Sequence, residues 1–476
     1  MRAQSEHGLN FKVETTMTRT MINEPAREIP VLMEADLVVV GGGTTGPIAA
    51  IAAARRGIKV VLIERFGSLG GVLTLGLNTK PSGAIIGGIP LEIWNLARSV
   101  GGAGADYMAT TKTGGVKIAS PTDPEIMKML LTRLCVEAGV QILFETFVSS
   151  PVVEDGAVTG VIIEGKGGRQ FVGAKVLIDC SADADIAAKA NAPFVMGSGG
   201  ADAKMQPVSM YFIMKNVDLN RLAEWARTCD DIPARAIPPD EAGLSYGLWL
   251  TGFNGMLRRF QEETGVKLQR DNITLKTADG QMYINATRVL GVDVFSPKEF
   301  TAAILECYRQ IEGVCRFLKE RVPGFEAARL GQVSPILGVR ETRHILGEYT
   351  LTGPDSRGET RFEDTIAADN SALDIHDPKG GDVDFQSMPP YEIPYRCLLP
   401  QGVEQLLVAG RCISADHEAH ARSRNMPACM ATGQAAGIAA AIAVEEGVSV
   451  RHVPIGKVQA ALRELGMPLH AKDVPA

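Results

Sequence analysis

Residues 35–71 read ADLVVVGGGTTGPIAAIAAARRGIKVVLIERFGSLGG, and their order decides the fold. Residues 35–40 form a valine-rich apolar run, the pattern of a strand buried on both faces of a parallel sheet. Gly41, Gly43 and Gly46 follow with G-x-G-x-x-G spacing, and residues 48–56 are alanine-rich and helical in character. A second apolar run, residues 59–63, closes on Glu64. Strand, glycine turn, helix, strand and acid within about 30 residues make one βαβ unit. Gly41 permits a tight turn, Gly43 lets the backbone approach a pyrophosphate, and Gly46 lets the helix pack on the sheet. The N–H groups near Thr44 and Thr45 then face the phosphates with the helix dipole behind them. Glu64, about 20 residues on, is placed for a ribose hydroxyl. The expectation is a dinucleotide site; the bland alternative is a glycine-rich turn in a plain α/β domain.

The rest of the composition narrows the class. The chain has 476 residues, enough for two or three domains. It is 45% hydrophobic and 22% charged, an ordinary globular balance. A net charge of −7 leaves no basic footprint for nucleic acid or an anionic membrane. The eight cysteines include no C-x-x-C pair, which argues against zinc ribbons and iron–sulfur ligation. They fit reduced thiols, so a cytoplasmic location is expected. No apolar run is read as membrane-spanning; the nearest is residues 437–444, in an alanine-rich stretch interrupted by Gly433, Gln434 and Gly437. Residues 1–30 are expected to be a tail or arm, with an oligomer contact as the alternative.

Beyond Gly71, residues 72–88 are rich in Gly and Thr and match neither period, which marks a functional segment. Residues 90–100 and 123–138 read as helices, and residues 101–115 as a mobile surface loop. Residues 149–154, 157–164 and 170–178 are short β-runs joined by turn signals, a β-meander. From residue 191 the alternation becomes irregular. Residues 205–215 read as a strand, 219–227, 248–263 and 297–320 as helices, and 360–384 as an acidic loop. Residues 405–409 return to strand, Gly410-Arg411 forms a turn, and residues 427–446 a long helix. The fold class is α/β. A Rossmann-type domain (residues 31–191 and 387–476) holds a parallel sheet and the meander, and an inserted α+β cap (192–386) faces the substrate.

Taken together, these segments resemble the FAD-dependent oxidoreductase family of glutathione-reductase-type Rossmann flavoproteins, with a more distant likeness to fumarate reductase flavoproteins. The resemblance is carried by the opening unit with Glu64 and Gly70-Gly71, by VLIDCSADADIAAKANAP from Val176, by GVRETRHILGEYTLT from Gly338, by residues 391–400, and by LLVAGRCISADHEAHARSRNMPACMATGQAAGIAAA from Leu406. It leaves residues 219–325 unfixed. Thr44-Thr45 replace the usual Pro-Ala, Ser181-Ala182 replace Thr-Gly, and His420 stands where an apolar residue is more usual. The glycine motif alone would suit NAD. The resemblance implies FAD, with Arg65 at the adenosine end, Val148 against adenine, Ser181 among the cofactor-binding residues, the Gly410-Arg411 turn near the ribityl–phosphate chain, and the helix from Pro427 aimed at the flavin pyrimidine.

Flavin chemistry needs a substrate carbon held at the ring and a group that moves a proton. His417 and His420, flanking Glu418, are the candidates because their pKa suits neutral pH. Their spacing is not that of a metalloprotease helix, and no metal is expected. Arg340, Arg343 and Arg424 stand among apolar residues, where a guanidinium clamps a carboxylate or joins an internal salt bridge with Glu341 or Asp416. Tyr395 is a donor candidate, with core packing as the bland reading. The leading expectation is a dehydrogenase or oxidase moving a hydride between flavin and a small substrate, with a carboxylate as the group an arginine would hold. The alternatives are an NAD(P)H- and O2-using monooxygenase, a flavoprotein subunit feeding an external electron acceptor, and a non-enzymatic nucleotide scaffold. A homo-oligomer is compatible with the sequence.

Overall fold

A computed structural model describes residues 21–110, 116–200, 203–377 and 383–474; the expected tail lies largely outside them. In chain order the first layer is built from β1 (Val31–Val40), α1 (Gly46–Ala54), β2 (Val60–Ile63), β3 (Gln141–Leu143), β4 (Phe147–Glu154), β5 (Ala157–Gly165) and β6 (Gly168–Asp179). β1 pairs in parallel with β2 (Leu37 opposite Val60) and with β6 (Leu37 opposite Val176). All four residues of β2 are buried, as its unbroken apolar run requires. β6 has two functions. Its first half runs antiparallel to β5, and its second half is the central strand of the parallel sheet. The meander and the nucleotide sheet are therefore one sheet.

The cap follows. β7 (Tyr211–Lys215), β8 (Ala234–Ala236), β9 (Trp249–Gly252), β10 (Ile273–Ala278), β11 (Gln281–Asn285) and β12 (Arg329–Val333) form an antiparallel sheet in the order β8-β9-β10-β11-β7-β12. α2 (Pro297–Arg321) packs on it through Cys307, Ile311, Val314 and Phe317. A hairpin of β13 (Leu373–His376) and β14 (Val383–Gln386) precedes the return to the first layer. There β15 (Leu406–Val408) adds to β6, and α3 (His417–Ser423) and α4 (Met426–Glu446) follow. The first layer's core also takes in Leu351, Phe362 and Ile366, residues the sequence reading assigns to the cap.

Four local readings change. Part of the expected surface loop is a β-hairpin, Tyr107–Thr110 with Val116–Ala119; residues 111–115 fall outside the described residues. Residues 249–252 are β9 rather than helix, because a four-residue apolar run carries no period of its own. The acidic stretch 360–384 contains a strand at Thr365–Asp369 and the β13 strand. α4, with 21 residues and a hydropathy of 1.4, is long and apolar enough to cross a membrane, yet 94% of its apolar window is buried inside the protein. It is the central core helix, and glycines let it press on α1. A Cβ at Gly433 would lie 2.6 Å from the Thr45 carbonyl, and one at Gly437 would collide with the Ala49 carbonyl.

Candidate functional site

The glycine turn leaves β1 with Gly41 at φ +101°, where a Cβ would collide with the Cys180 carbonyl. A Cβ at Gly46 would collide with the Gly41 carbonyl, so helix and strand touch through this pair. Gly43 is different: no protein atom lies within 4 Å of where its Cβ would stand, so its face opens onto free space. Gly71 closes on Gly43, since a Cβ there would lie 2.9 Å from the Gly43 Cα, and Gly70 at φ +100° turns the chain there. Glu64 is buried and accepts hydrogen bonds from the Gly42 N–H (2.5 Å) and the Phe66 N–H (2.9 Å). Burial pushes its carboxyl above the usual carboxylate range. Arg65 stacks its guanidinium on the Phe66 ring at 4.7 Å. Val148 is buried in β4. Gly410 presses against Thr45, its Cβ position 2.6 Å from Thr45 Oγ1.

The helix starts differ in how they are capped. α2 and α3 carry side-chain caps, Ser296 and Asp416, the latter accepting from the Ala419 N–H at 2.8 Å. α1, with Thr45 at its N-cap, and α4, with Asn425, have none. α1 starts at this cradle, and α4 presses on Thr45 through Gly433; the helices Gly88–Ser99, Asn254–Thr264 and Ile455–Glu464 lack side-chain caps as well. Uncapped N–H groups, free space beside Gly43 and a carboxylate at the strand end are what a dinucleotide's phosphates and ribose require.

The acidic turn after β6 has a structural task. Asp179 accepts from the N–H groups of Ser181 (2.9 Å), Ile186 (2.9 Å) and Ala187 (3.0 Å). Ser181 turns its hydroxyl to the Asp185 N–H at 2.9 Å. Arg411 is tied down as well, donating to the Ala182 and Val339 carbonyls and pairing with Asp183. Its guanidinium fastens the Gly410-Arg411 turn to the acidic turn after β6 and to the Val339 carbonyl, so the side chain is engaged by the protein itself.

The second half of the site centres on Glu341, fully buried. Its Oε1 lies 2.7 Å from His417 Nδ1, 3.4 Å from His344 Nε2 and 3.6 Å from His420 Nδ1. Burial pushes this carboxyl up, but hydrogen bonds from His344 and His417 outweigh it and hold it well below the usual range. The bond to Glu341 in turn raises His417, against the effect of burial. His344 Nδ1–H donates to the Ala415 carbonyl (3.0 Å), and its ring stacks on His420, centroids 4.1 Å apart. His420 is wholly buried with neither ring nitrogen bonded; burial first, then His344, pushes it well below its ordinary value. It is a neutral ring, whereas His417 is a quarter exposed and can exchange protons. Ligand atoms of Glu341, His344 and His420 all lie within 4.8 Å of one another.

Arg340 and Arg424 also come here, but not as partners of Glu341 or Asp416. Arg340 donates to the Pro207 carbonyl (2.5 Å), and Arg424 reaches the Asp374 carbonyl (2.5 Å) and carboxylate (3.4 Å). Arg343 pairs with Asp185 at 3.0 Å. Tyr395 stands apart: it is buried, and its hydroxyl donates to the Val450 carbonyl at 2.8 Å, so it is a core residue rather than a donor to substrate. Sequence reasoning missed Glu341 as the hub, and with it His344 and the cap residues Lys276 and Arg270. The only signal for the first two was E-T-R-H at residues 341–344. An open groove of about 640 Å³ beside Val266, Lys267, Arg309 and Arg316 shares no residue with this site.

Fold and cradle define a two-layer α/β dinucleotide-binding protein with a β-sheet cap. The family profile described as FAD dependent oxidoreductase matches residues 36–462, and the chain belongs to that family. It is an enzyme, and its cofactor is FAD. Curated relatives include the digeranylgeranylglycerophospholipid reductase of Methanosphaerula palustris, 27% identical over 150 residues (30% of this chain, 38% of the relative). Digeranylgeranylglycerophospholipid reductase 2 of Methanopyrus kandleri is 30% identical over 153 residues (31% and 37%). The match thus spans little more than a third of either relative's length. Among solved structures, a geranylgeranyl bacteriochlorophyll reductase-like protein of Thermoplasma acidophilum is 14% identical with a TM-score of 0.49, covering 91% of this chain and 83% of its own. The flavin-dependent brominase Bmp2 is 13% identical at 0.47, covering 90% and 83%. Scores this low do not speak to the reaction.

Proposed function

We propose that this enzyme moves a hydride between FAD and a small organic acid, with His417 as the group that takes or gives the accompanying proton. The carrying observation is the 2.7 Å contact between His417 Nδ1 and the buried Glu341 carboxylate. FAD, when bound, supplies the two-electron chemistry. Thr44, Thr45 and Gly43 would hold its phosphates and Glu64 its adenosine ribose. Glu341 fixes the orientation of the His417 ring and stabilises its protonated form, the arrangement of an oriented acid–base histidine. His417 opens α3, in the segment that joins the Gly410 turn to the uncapped start of α4, so it is carried by the two parts of the cradle nearest the expected ring. Arg340 precedes Glu341 in the chain and Arg424 ends α3, which sets guanidinium groups for a substrate carboxylate beside the same pair.

Anaerobic stopped-flow tests the reading. An organic acid, not NAD(P)H, should bleach the flavin of the purified enzyme, and His417→Ala should slow that step by about 10²–10⁴-fold, the usual contribution of a positioned acid–base group. Reduction of the flavin by NAD(P)H alone, or unchanged kinetics in His417→Ala, would overturn it.

A further inference from the structure

We infer that the cap closes a binding site for a small substrate bearing at least two acidic groups, gripped by Lys276, Arg270 and Arg340. The inference rests on the hydride-transfer reading for the word substrate, but the site itself is read from geometry alone. Lys276 lies in β10 and is buried; its Nζ has only long contacts, Asn78 Oδ1 at 3.5 Å and Tyr211 Oη at 3.4 Å. Arg270, also buried, bonds two neutral amides, Asn272 Oδ1 (2.9 Å) and Asn285 Oδ1 (2.6 Å). Arg340 bonds the Pro207 carbonyl. No carboxylate among the described residues lies within ion-pair distance of any of these three cations. Asp374 is the nearest shared anion, and it is already engaged by Arg424 and by His376 Nε2, each at 3.4 Å.

Burying cations without counter-charge is costly, and proteins normally pair them. The strain shows in each group. Burial draws Lys276 down to about 8, Arg270 to about 10 and, with Arg424 and Arg270 adding repulsion, Arg340 to about 9. A fourth cation, Lys80, is buried behind Lys276 on neutral partners, Tyr107 Oη (2.8 Å) and the Leu248 carbonyl (3.1 Å). The groups come from both sides of one joint. Asn78 and Lys80 belong to the irregular segment after Gly71, Lys276 and Arg270 to the cap, Arg340 to the residue before Glu341. A ligand with one acidic group would leave at least two of the three cations unanswered. Two or more carboxylates, or a phosphate, would answer them, and the carbon between would lie near the Glu341–His417 pair.

Difference spectra of the flavin in the holoenzyme, titrated with acetate, succinate, citrate and inorganic phosphate, test this. The apparent Kd should fall at least tenfold from acetate to the best polyanion; citrate or succinate ahead of phosphate assigns carboxylates, and the reverse order assigns a phosphoryl group. Lys276→Met should weaken the best polyanion about tenfold, leave acetate within about twofold, and raise the Tm of ligand-free holoenzyme by removing an unanswered charge. Arg270→Gln serves as the second variant if Lys276→Met does not fold. Equal affinity for acetate and citrate, no spectral response to any anion, or a lowered Tm with unchanged affinities would overturn the inference. Tight polyanion binding with no organic acid able to reduce the flavin would leave the site standing and remove the hydride-transfer reading instead.

Discussion

In the cradle the chain offers backbone to a ligand, and in the chamber proposed under the cap it offers side chains. The cradle needs close approach, so its decisive residues are glycines whose missing Cβ makes room: Gly41, Gly43, Gly46, Gly71 and Gly410. They fall within one βαβ unit and one closing turn. The proposed chamber is instead lined by charged side chains: buried Lys276, Arg270 and Glu341, with Arg340 and the quarter-exposed His417 beside them. A cradle of this kind tolerates few substitutions by shape, whereas the chamber can be re-aimed by exchanging single side chains.

The largest effect should come from shape. Gly46→Val sets side-chain carbons where the Gly41 carbonyl sits, and the purified protein should retain no flavin by its absorbance near 450 nm. A variant that still copurifies with FAD would break the comparison. Glu341→Gln acts on charge instead and should slow flavin reduction by about 10–100-fold with FAD still bound, a loss typical of a group that orients a reacting side chain. Its pH profile is the sharper readout. The Glu341 bond raises His417 above its ordinary value, with Asp416 acting the same way and Arg424 against it. If neutral His417 takes the proton, the rate climbs as pH rises through that raised value. Glu341→Gln moves the climb to lower pH, and an unmoved profile would refute the pairing. For stability the sign is opposite. The protonated ring favours the folded state below about 6.5. That contribution is lost as pH rises through the raised value.

Gly43→Ala should fold normally, since the new methyl meets no protein atom, yet weaken FAD about tenfold by intruding on the pyrophosphate's space. Isothermal titration of the apoenzyme would show it, and an unchanged affinity would move the phosphates elsewhere. The smallest effect belongs to Tyr395→Phe, which removes a buried hydrogen bond to Val450 and should cost about 1 kcal/mol of stability in chemical denaturation, with no change in flavin reduction.

Legibility followed the same division. The cradle could be read from residues 35–71 because its requirements are local: a period, a glycine spacing, an acid at a set distance. Glu341 could not, because what makes it a hub is His417, 76 positions away, and the stacked His344 and His420. Lys276 and Arg270 sit in strands and loops of ordinary appearance, and only the fold reveals that no carboxylate among the described residues lies within ion-pair distance of them. The strand at Trp249–Gly252 was read as helix because its few residues carry no period, and the hairpin at Tyr107 was hidden by flanking glycines. Tyr395 misled in the other direction: a polar atom between proline and arginine suggested chemistry, and its hydroxyl turned out to anchor a neighbouring carbonyl.

The contact of α4 with α1 through Gly433 and Gly437 has a consequence for how the protein is made. The first βαβ unit leaves the ribosome early, but the helix that backs it is translated almost four hundred residues later. Until then α1 lacks its partner and β6 lacks β15, so the first layer closes only after the whole cap has been made.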